Sequence, residues 1–380
     1  MASVKCFRAS KIVDMTTPIK RIFSGIQPTG IPHLGNYLGA IVNWVKLQES
    51  GTTAAKPLIF YSIVDLHALT VPKDPKQLQR DIKDSAITLL ACGIKPSASN
   101  NIFIFQQGKV KQHAELQWLL STITPMGKLN RMTQFKEKNK KGNADKALLG
   151  LYSYPILMAS DILLYKTSHV PVGDDQKQHL ELARDIAGTF NMQFADTNNG
   201  SDSEPGFFPL PQGIFPSGTG ARVMSLNNGT KKMSKSDLSI YSRINLDDDN
   251  DTIAKKIRKA KTDSFTGFDL TVQDDEGMLI ERPEIKNLIG IRASLEATTS
   301  EVVVADLHNR ALSTKDMKSE LADLLIDRIE PIAQEIDRLR NSADGNAYVE
   351  KLLWEGQQKA EEIAENTMQD VRKLVGICNQ

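Results

Sequence analysis

From about Lys20 onward, short apolar runs alternate with stretches of helical periodicity. Residues 21–26 and 101–106 read as strands. Residues 58–64 form a nearly continuous apolar run, which suits a strand buried on both faces. Between them, residues 36–48 place Leu38, Ile41, Val42 and Val45 at helical spacing. Residues 76–92 repeat the same period and stop at Gly93, and 113–122 reads as a further helix. This alternation predicts an α/β fold, a parallel sheet with helices on both faces.

The pattern changes twice. Residues 198–220 are rich in Gly, Ser, Pro and Asn and are expected to form a long surface loop or lid approach. Beyond about Leu246 no further strand is expected, and helices are predicted over 251–261, 284–295, 315–340 and 346–375. In the last, Val349, Leu352, Leu353, Gly356, Ala360, Ile363, Ala364, Val371 and Leu374 keep one apolar stripe. An α/β domain followed by a helical one is the expected organisation, and no internal repeat is visible.

Composition adds mostly exclusions. A chain of 380 residues exceeds one small core, and it carries no apolar run long enough to span a bilayer. With 47 basic against 46 acidic residues, any nucleic-acid binding must come from local patches. Two such patches stand out: Lys136, Lys138, Lys140, Lys141 and Lys146, and then Lys255, Lys256, Arg258, Lys259 and Lys261. Charged helix faces of this kind are also common as plain solvated surface. Cys6, Cys92 and Cys378 lie far apart, which excludes a disulfide framework and argues against structural zinc. Residues 1–22 hold Lys5, Arg8, Lys11, Lys20 and Arg21 against one acid, Asp14. Such a segment fits a mitochondrial targeting sequence or a plain basic extension.

Two short motifs carry chemistry. His33-Leu34-Gly35-Asn36 opens the first helix after the first strand, where unpaired N–H groups suit phosphates. His33 can donate to phosphate oxygens, Gly35 admits a nucleotide close to the backbone, and Asn36 offers a short polar head. Alone, such a stretch is more often a turn and helix cap than a nucleotide site. Its partner is Lys232-Met233-Ser234-Lys235-Ser236, expected on a mobile loop, where two lysines three apart can gather the charge of a triphosphate.

The pair resembles the signature motifs of class I aminoacyl-tRNA synthetases. The likeness narrows at Phe23-Ser24-Gly25-Ile26-Gln27-Pro28-Thr29-Gly30, Arg131-Met132-Thr133-Gln134-Phe135-Lys136, Tyr154-Pro155 with Asp161-Ile162-Leu163-Leu164-Tyr165, and Val170-Pro171-Val172-Gly173-Asp174-Asp175-Gln176. These segments resemble the tryptophan-specific synthetases of bacterial and mitochondrial type, over most of residues 21–262. The resemblance implies a Rossmann-like catalytic domain over 21–245, a helical anticodon-binding domain over 246–380 whose last helix packs back on the first, and an extension over 1–20. It implies ATP with Mg²⁺, L-tryptophan and tRNA(Trp) as partners, a homodimer, no membrane, no prosthetic group and no protein-held metal. The compartment implied is the mitochondrial matrix, with a bacterial-type cytoplasm as the alternative. One departure is Asn36, where the class motif has a second histidine; tryptophan enzymes often carry this variant.

By the same likeness, His33, Lys232 and Lys235 are catalytic. Gln27, Gly35, Asn36, Gly173, Asp174, Asp175, Val223, Met233, Ser234 and Ser236 join them around ATP, and Lys138 lies near the triphosphate. Phe23, Tyr154, Met158, Val170 and Val172 line an indole pocket, with Gln176 at the polar end of the amino acid. Spacing supports part of this, since Tyr154, Met158 and Asp161 fall at i, i+4 and i+7 on one helix face. Asp161 is an acid inside an apolar run, costly to bury without a donor, and the indole N–H is donor-only. It can instead be a structural acid paired with an arginine or a helix terminus. His67, His113, His169 and His179 read as structural or surface residues, without metal-ligand spacing. Competing readings are a tyrosine-specific synthetase, a small nucleotidyltransferase, and a catalytically silent RNA-binding paralogue.

Overall fold

The computed structural model describes residues 20–49, 56–132, 148–173, 176–195, 206–215, 222–273 and 278–378. Five parallel strands form the central sheet: β1 Arg21–Ile26, β2 Leu58–Ile63, β3 Ile102–Gln106, β4 His169–Pro171 and β5 Gln212–Ile214, in the order β3-β2-β1-β4-β5. Register explains why the runs are apolar on both faces. Ile22, Ile59 and Ile102 align across the sheet, as do Phe23, Phe60 and Phe103 one residue on. The isoleucine row joins one core and the phenylalanine row the other.

Helix α1 covers residues 34–49 and contains a π turn at Tyr37–Ile41. It is followed by α2 Asp65–Ala68, α3 Pro75–Ala91, α4 Gln112–Thr122, α5 Met126–Asn130, α6 Leu149–Leu163 and α7 Lys177–Phe194. The C-terminal part supplies α8 Asn250–Lys259, α9 Pro283–Leu295, α10 Ser300–Asn309, α11 Thr314–Asn341 and α12 Ala343–Leu374. Helices α8, α9 and α11 complete the isoleucine-side core, and α12 contributes Ala360, Ala364, Met368 and Val371 to the phenylalanine side. α12 lies directly on β3. A Cβ on Gly356 would come within 2.0 Å of the Ile104 carbonyl oxygen, so only glycine admits this approach.

Three expectations are corrected here. The segment read as a long loop contributes edge strand β5, too short and too polar at Gln212 to show a strand period. Strands do not stop at Leu246, because β8 Thr271–Gln273 pairs with β9 Leu279–Glu281. The lysine motif is not wholly a loop either, since Lys232 ends strand β7, Asn228–Lys232, antiparallel to β6, Met224–Ser225. Hairpins this short, with exposed polar residues, carry no periodic signal. α10 also escaped the sequence reading.

Candidate active site

Strand order reverses between β1 and β4, and open α/β sheets bind ligands at the carboxyl ends of strands flanking such a switch. A cavity of ≈ 750 Å³ opens there. β1 contributes Phe23 and Gln27, β4 and its continuation contribute Val170, Val172, Gly173 and Gln176, and α6 contributes Tyr154, Met158 and Asp161. The structure thus gathers these predicted residues, and Asn36, around one space. Asp174, Asp175, Lys138 and the lysines 136–146 lie outside the described residues.

Asp161 is buried at the wall of this cavity and makes three hydrogen bonds. Gln107 Nε2 and His113 Nδ1 each donate to Oδ1 at 2.7 Å, and His67 Nε2 donates to Oδ2 at 2.9 Å. Burial pushes the carboxyl pKa up, but the hydrogen bonds from His113 and His67 outweigh it and bring it to about 2. An ionised carboxylate has about four acceptor sites. Among the described residues three are filled, and the remaining one belongs to Oδ2. Its partners are histidines and a glutamine, neither the arginine nor the helix terminus considered above. His67 itself lines the cavity, and His179 Nε2 lies 2.9 Å from the Tyr154 hydroxyl. These histidines are hydrogen-bonded at the cavity wall or just behind it. Sequence spacing could not reveal this, because His67, His113 and Asp161 come from three separate helices.

His33 and Asn36 cap α1 reciprocally. The His33 amide donates to Asn36 Oδ1 at 3.2 Å and the Asn36 amide donates to His33 Nδ1 at 3.3 Å. With Nδ1 accepting, the neutral ring carries its proton on Nε2. Burial, then the charges of Lys235, Arg243 and Lys232, lower the His33 pKa to about 4. Gly35 leaves room for this ring, since a Cβ there would sit 3.0 Å from His33 Cε1 and 3.6 Å from Met233 Cβ.

Backbone hydrogen bonds tie the first motif to the segment 244–246 and the second motif to Val223. Leu34 N donates to Ile244 O at 2.8 Å, Leu246 N to Pro32 O at 3.0 Å, and Met233 N to Val223 O at 3.1 Å. Met233 and Val223 are buried core side chains, so any contact they make with a nucleotide is through backbone. Lys232 is exposed at the strand end, and Ser234 and Ser236 share a hydrogen bond of 2.8 Å. Lys235 Nζ donates to Thr29 O at 3.0 Å and Gly30 O at 2.7 Å, in a second cavity of ≈ 720 Å³ that also holds Arg243. Burial lowers its pKa to about 8, with Asp81 opposing and Arg243 assisting.

Several lining residues were missed. Gly39, Ala40 and Asn43 face the first cavity one and two turns after Asn36, and Lys46 and Thr70 join them. The signal was present: small and polar residues at i+3, i+4 and i+7 from Asn36 mark a helix face that is not core. Arg243 carried no such signal.

A family model described as tRNA synthetases class I (W and Y) matches residues 16–330. A tryptophan–tRNA ligase of Brucella melitensis is 48% identical over 372 residues, covering 95% of this chain and 99% of that protein. One from Rickettsia felis is 45% identical over 359 residues, covering 94% and 98%. Among solved structures, a tryptophanyl-tRNA synthetase of Mycoplasma pneumoniae superposes with a TM-score of 0.76 at 32% identity, covering 94% of this chain and 98% of that one. Another from Campylobacter jejuni, complexed with ADP and tryptophan, gives 0.72 at 32%, covering 94% and 99%. A tyrosyl-tRNA synthetase of Aeropyrum pernix, at 18% identity and 0.59, shares the fold alone.

Proposed function

The chain belongs to the class I tRNA synthetases for tryptophan and tyrosine, and we propose that it is an ATP-dependent ligase joining L-tryptophan to tRNA(Trp). The tryptophan carboxylate attacks the α-phosphate of ATP, giving tryptophanyl-adenylate and pyrophosphate. A terminal ribose hydroxyl of the tRNA then takes the acyl group and AMP leaves. Both nucleophiles are substrates, so the protein's work is alignment and charge stabilisation.

One observation carries the amino-acid assignment: a buried, ionised Asp161 with a single unfilled acceptor site beside a cavity walled by Phe23, Met158, Val170 and Val172. An indole N–H fills that site, whereas phenylalanine leaves it empty. Gln176 faces the polar end of the amino acid, while Gln27, Asn36 and Gly173 border the nucleotide. His33 Nε2–H, Lys232 and Lys235 meet the phosphates, with Gly35 and the backbone of Val223, Met233, Ser234 and Ser236 framing them. For Lys235 this requires exchanging the Thr29 and Gly30 carbonyls for phosphate oxygens. Magnesium enters as the partner of ATP.

Residues 21–245 carry activation and 246–380 read the tRNA. α8 offers Lys255, Arg258 and Lys259 as a phosphate-binding face. Leu149 on α6, and Trp118 and Met126 on α4 and α5, the two helices packed against it, expose large apolar side chains, which favours a homodimer. The basic extension over 1–20 favours a mitochondrial address, although the relatives named above are bacterial. Among the described residues no helix is long and apolar enough to cross a membrane.

Amino-acid-dependent ATP–pyrophosphate exchange tests the assignment. Tryptophan is expected to support exchange and tyrosine and phenylalanine to fail; equal exchange with tyrosine would refute it.

A further inference from the structure

Behind Asp161 lies a second layer that does not line the cavity. His113 is fully buried on α4, and its two ring nitrogens are both engaged: Nδ1 with Asp161 Oδ1 at 2.7 Å and Nε2 with the Tyr165 hydroxyl at 2.8 Å. An ionised carboxylate cannot donate, so Nδ1 must carry the proton toward Asp161. A neutral ring then accepts at Nε2, and the Tyr165 O–H must be the donor there. Tyr165 suits this role. It is fully buried, and burial together with the Asp161 charge keeps its hydroxyl protonated. It stacks against the aromatic row of the sheet, with centroids 4.7 Å from Phe60 and 5.6 Å from Phe23. Phe23 in turn lines the substrate cavity. His113 is also fixed, stacked on Phe105 at 5.9 Å with its carbonyl accepting from Ser160 Oγ at 2.7 Å.

From this geometry we infer that His113 and Tyr165 are specificity-determining positioning residues: the Tyr165 → His113 → Asp161 relay fixes one imidazole tautomer, and so reserves the free acceptor site on Asp161 for a ring N–H. Without the Tyr165 hydroxyl, the imidazole proton is free to move to Nε2. Nδ1 would then face Oδ1 as a second acceptor, and the carboxylate would swing or take up a proton. A protonated or turned Asp161 no longer penalises a ligand lacking N–H. The inference rests on the reading of Asp161 as the indole acceptor and deepens it.

The test compares tryptophan with its benzothiophene isostere, in which sulfur replaces the ring N–H, by kcat/KM in ATP–pyrophosphate exchange. The unmodified enzyme is expected to prefer tryptophan by at least about 100-fold, because the isostere leaves a buried acceptor unpaired. Tyr165→Phe keeps shape and stacking and is expected to lower that preference about tenfold. The loss should fall on tryptophan and spare the isostere. His113→Phe should lower it further. His113→Asn, whose amide can take the place of Nδ1–H, should restore most of it. A purely structural role would lower both substrates in parallel and leave the ratio intact, and that result for Tyr165→Phe would overturn the inference. If the unmodified enzyme itself failed to separate the two substrates, the assignment of Asp161 would fall, and this inference with it. Should His113→Phe not fold, Tyr165→Phe and His113→Asn decide the matter.

Discussion

His33 and Asn36 hold each other at the start of α1, each backbone amide donating to the other's side chain at 3.2 and 3.3 Å. Where the class motif carries a histidine, asparagine here orients the first histidine and, among the described residues, leaves Nε2–H unengaged, as the proposed phosphate contact requires. Asn36→Ala should therefore cost about 1 kcal/mol as a lost cap. It should also reduce the exchange rate more than this stability loss explains. Urea unfolding and exchange kinetics on the same variant separate the two.

The same pair sets a pH dependence. His33, with a folded pKa of about 4 against about 6.5 unfolded, binds fewer protons folded than unfolded between those values. Its contribution is fully present above the unfolded value and is lost as pH falls toward 4. Denaturant midpoints should rise with pH across that window, and the rise should shrink in His33→Gln.

Lys235, half-buried against the Thr29 and Gly30 carbonyls, titrates near 8. A triphosphate beside it raises that value, so ATP binding near pH 8 should take up roughly half a proton per site. Calorimetry in buffers of different ionisation enthalpy reads this directly. Lys235→Arg should abolish it, because arginine stays charged throughout.

Asp161 follows the same sign as His33, in a more acidic window. Its folded value of about 2 lies below the ordinary carboxylate value, so its stabilisation, on the order of 2 kcal/mol, is present above about 4 and is lost as pH falls through 2. The stability gap between the unmodified protein and Asp161→Asn should be constant at neutral pH and narrow progressively as pH falls from about 4 through 2. A gap that persisted in acid would mean that Asn disrupts packing instead.

Gly356→Ala drives a methyl into the Ile104 carbonyl of β3 and should destabilise by about 1–3 kcal/mol. Thermal unfolding measures it. An unchanged melting temperature would mean that α12 does not sit on the sheet this closely.

Exchanging Lys255 and Lys259 together for alanine should lower the salt slope of tRNA affinity by about 2, provided each lysine neutralises one phosphate. An unchanged slope would remove α8 from the RNA-binding face.

Much of the fold is legible in the sequence. The isoleucine and phenylalanine rows, the helical stripes and the two motifs are local patterns, and backbone geometry converts them directly into strands, helices and caps. Tyr154, Met158 and Asp161 share a helix face because helical spacing requires it. Edge strand β5 and the two hairpins were not legible. Elements of two to five residues have too few positions to show a period, and their pairing is supplied by neighbours distant in sequence.

The sequence by itself determined that an acid lies among apolar residues on the pocket helix, and that it needs donors. Only the tertiary structure decided which ones. His67 from α2, Gln107 after β3 and His113 from α4 converge on Asp161 because parallel strands bring their carboxyl ends to one edge of the sheet. The same convergence joins Lys235 to Gly30 across some two hundred residues. Periodicity reports which face of an element is buried. What that face meets depends on the crossovers, and those are fixed by long-range packing.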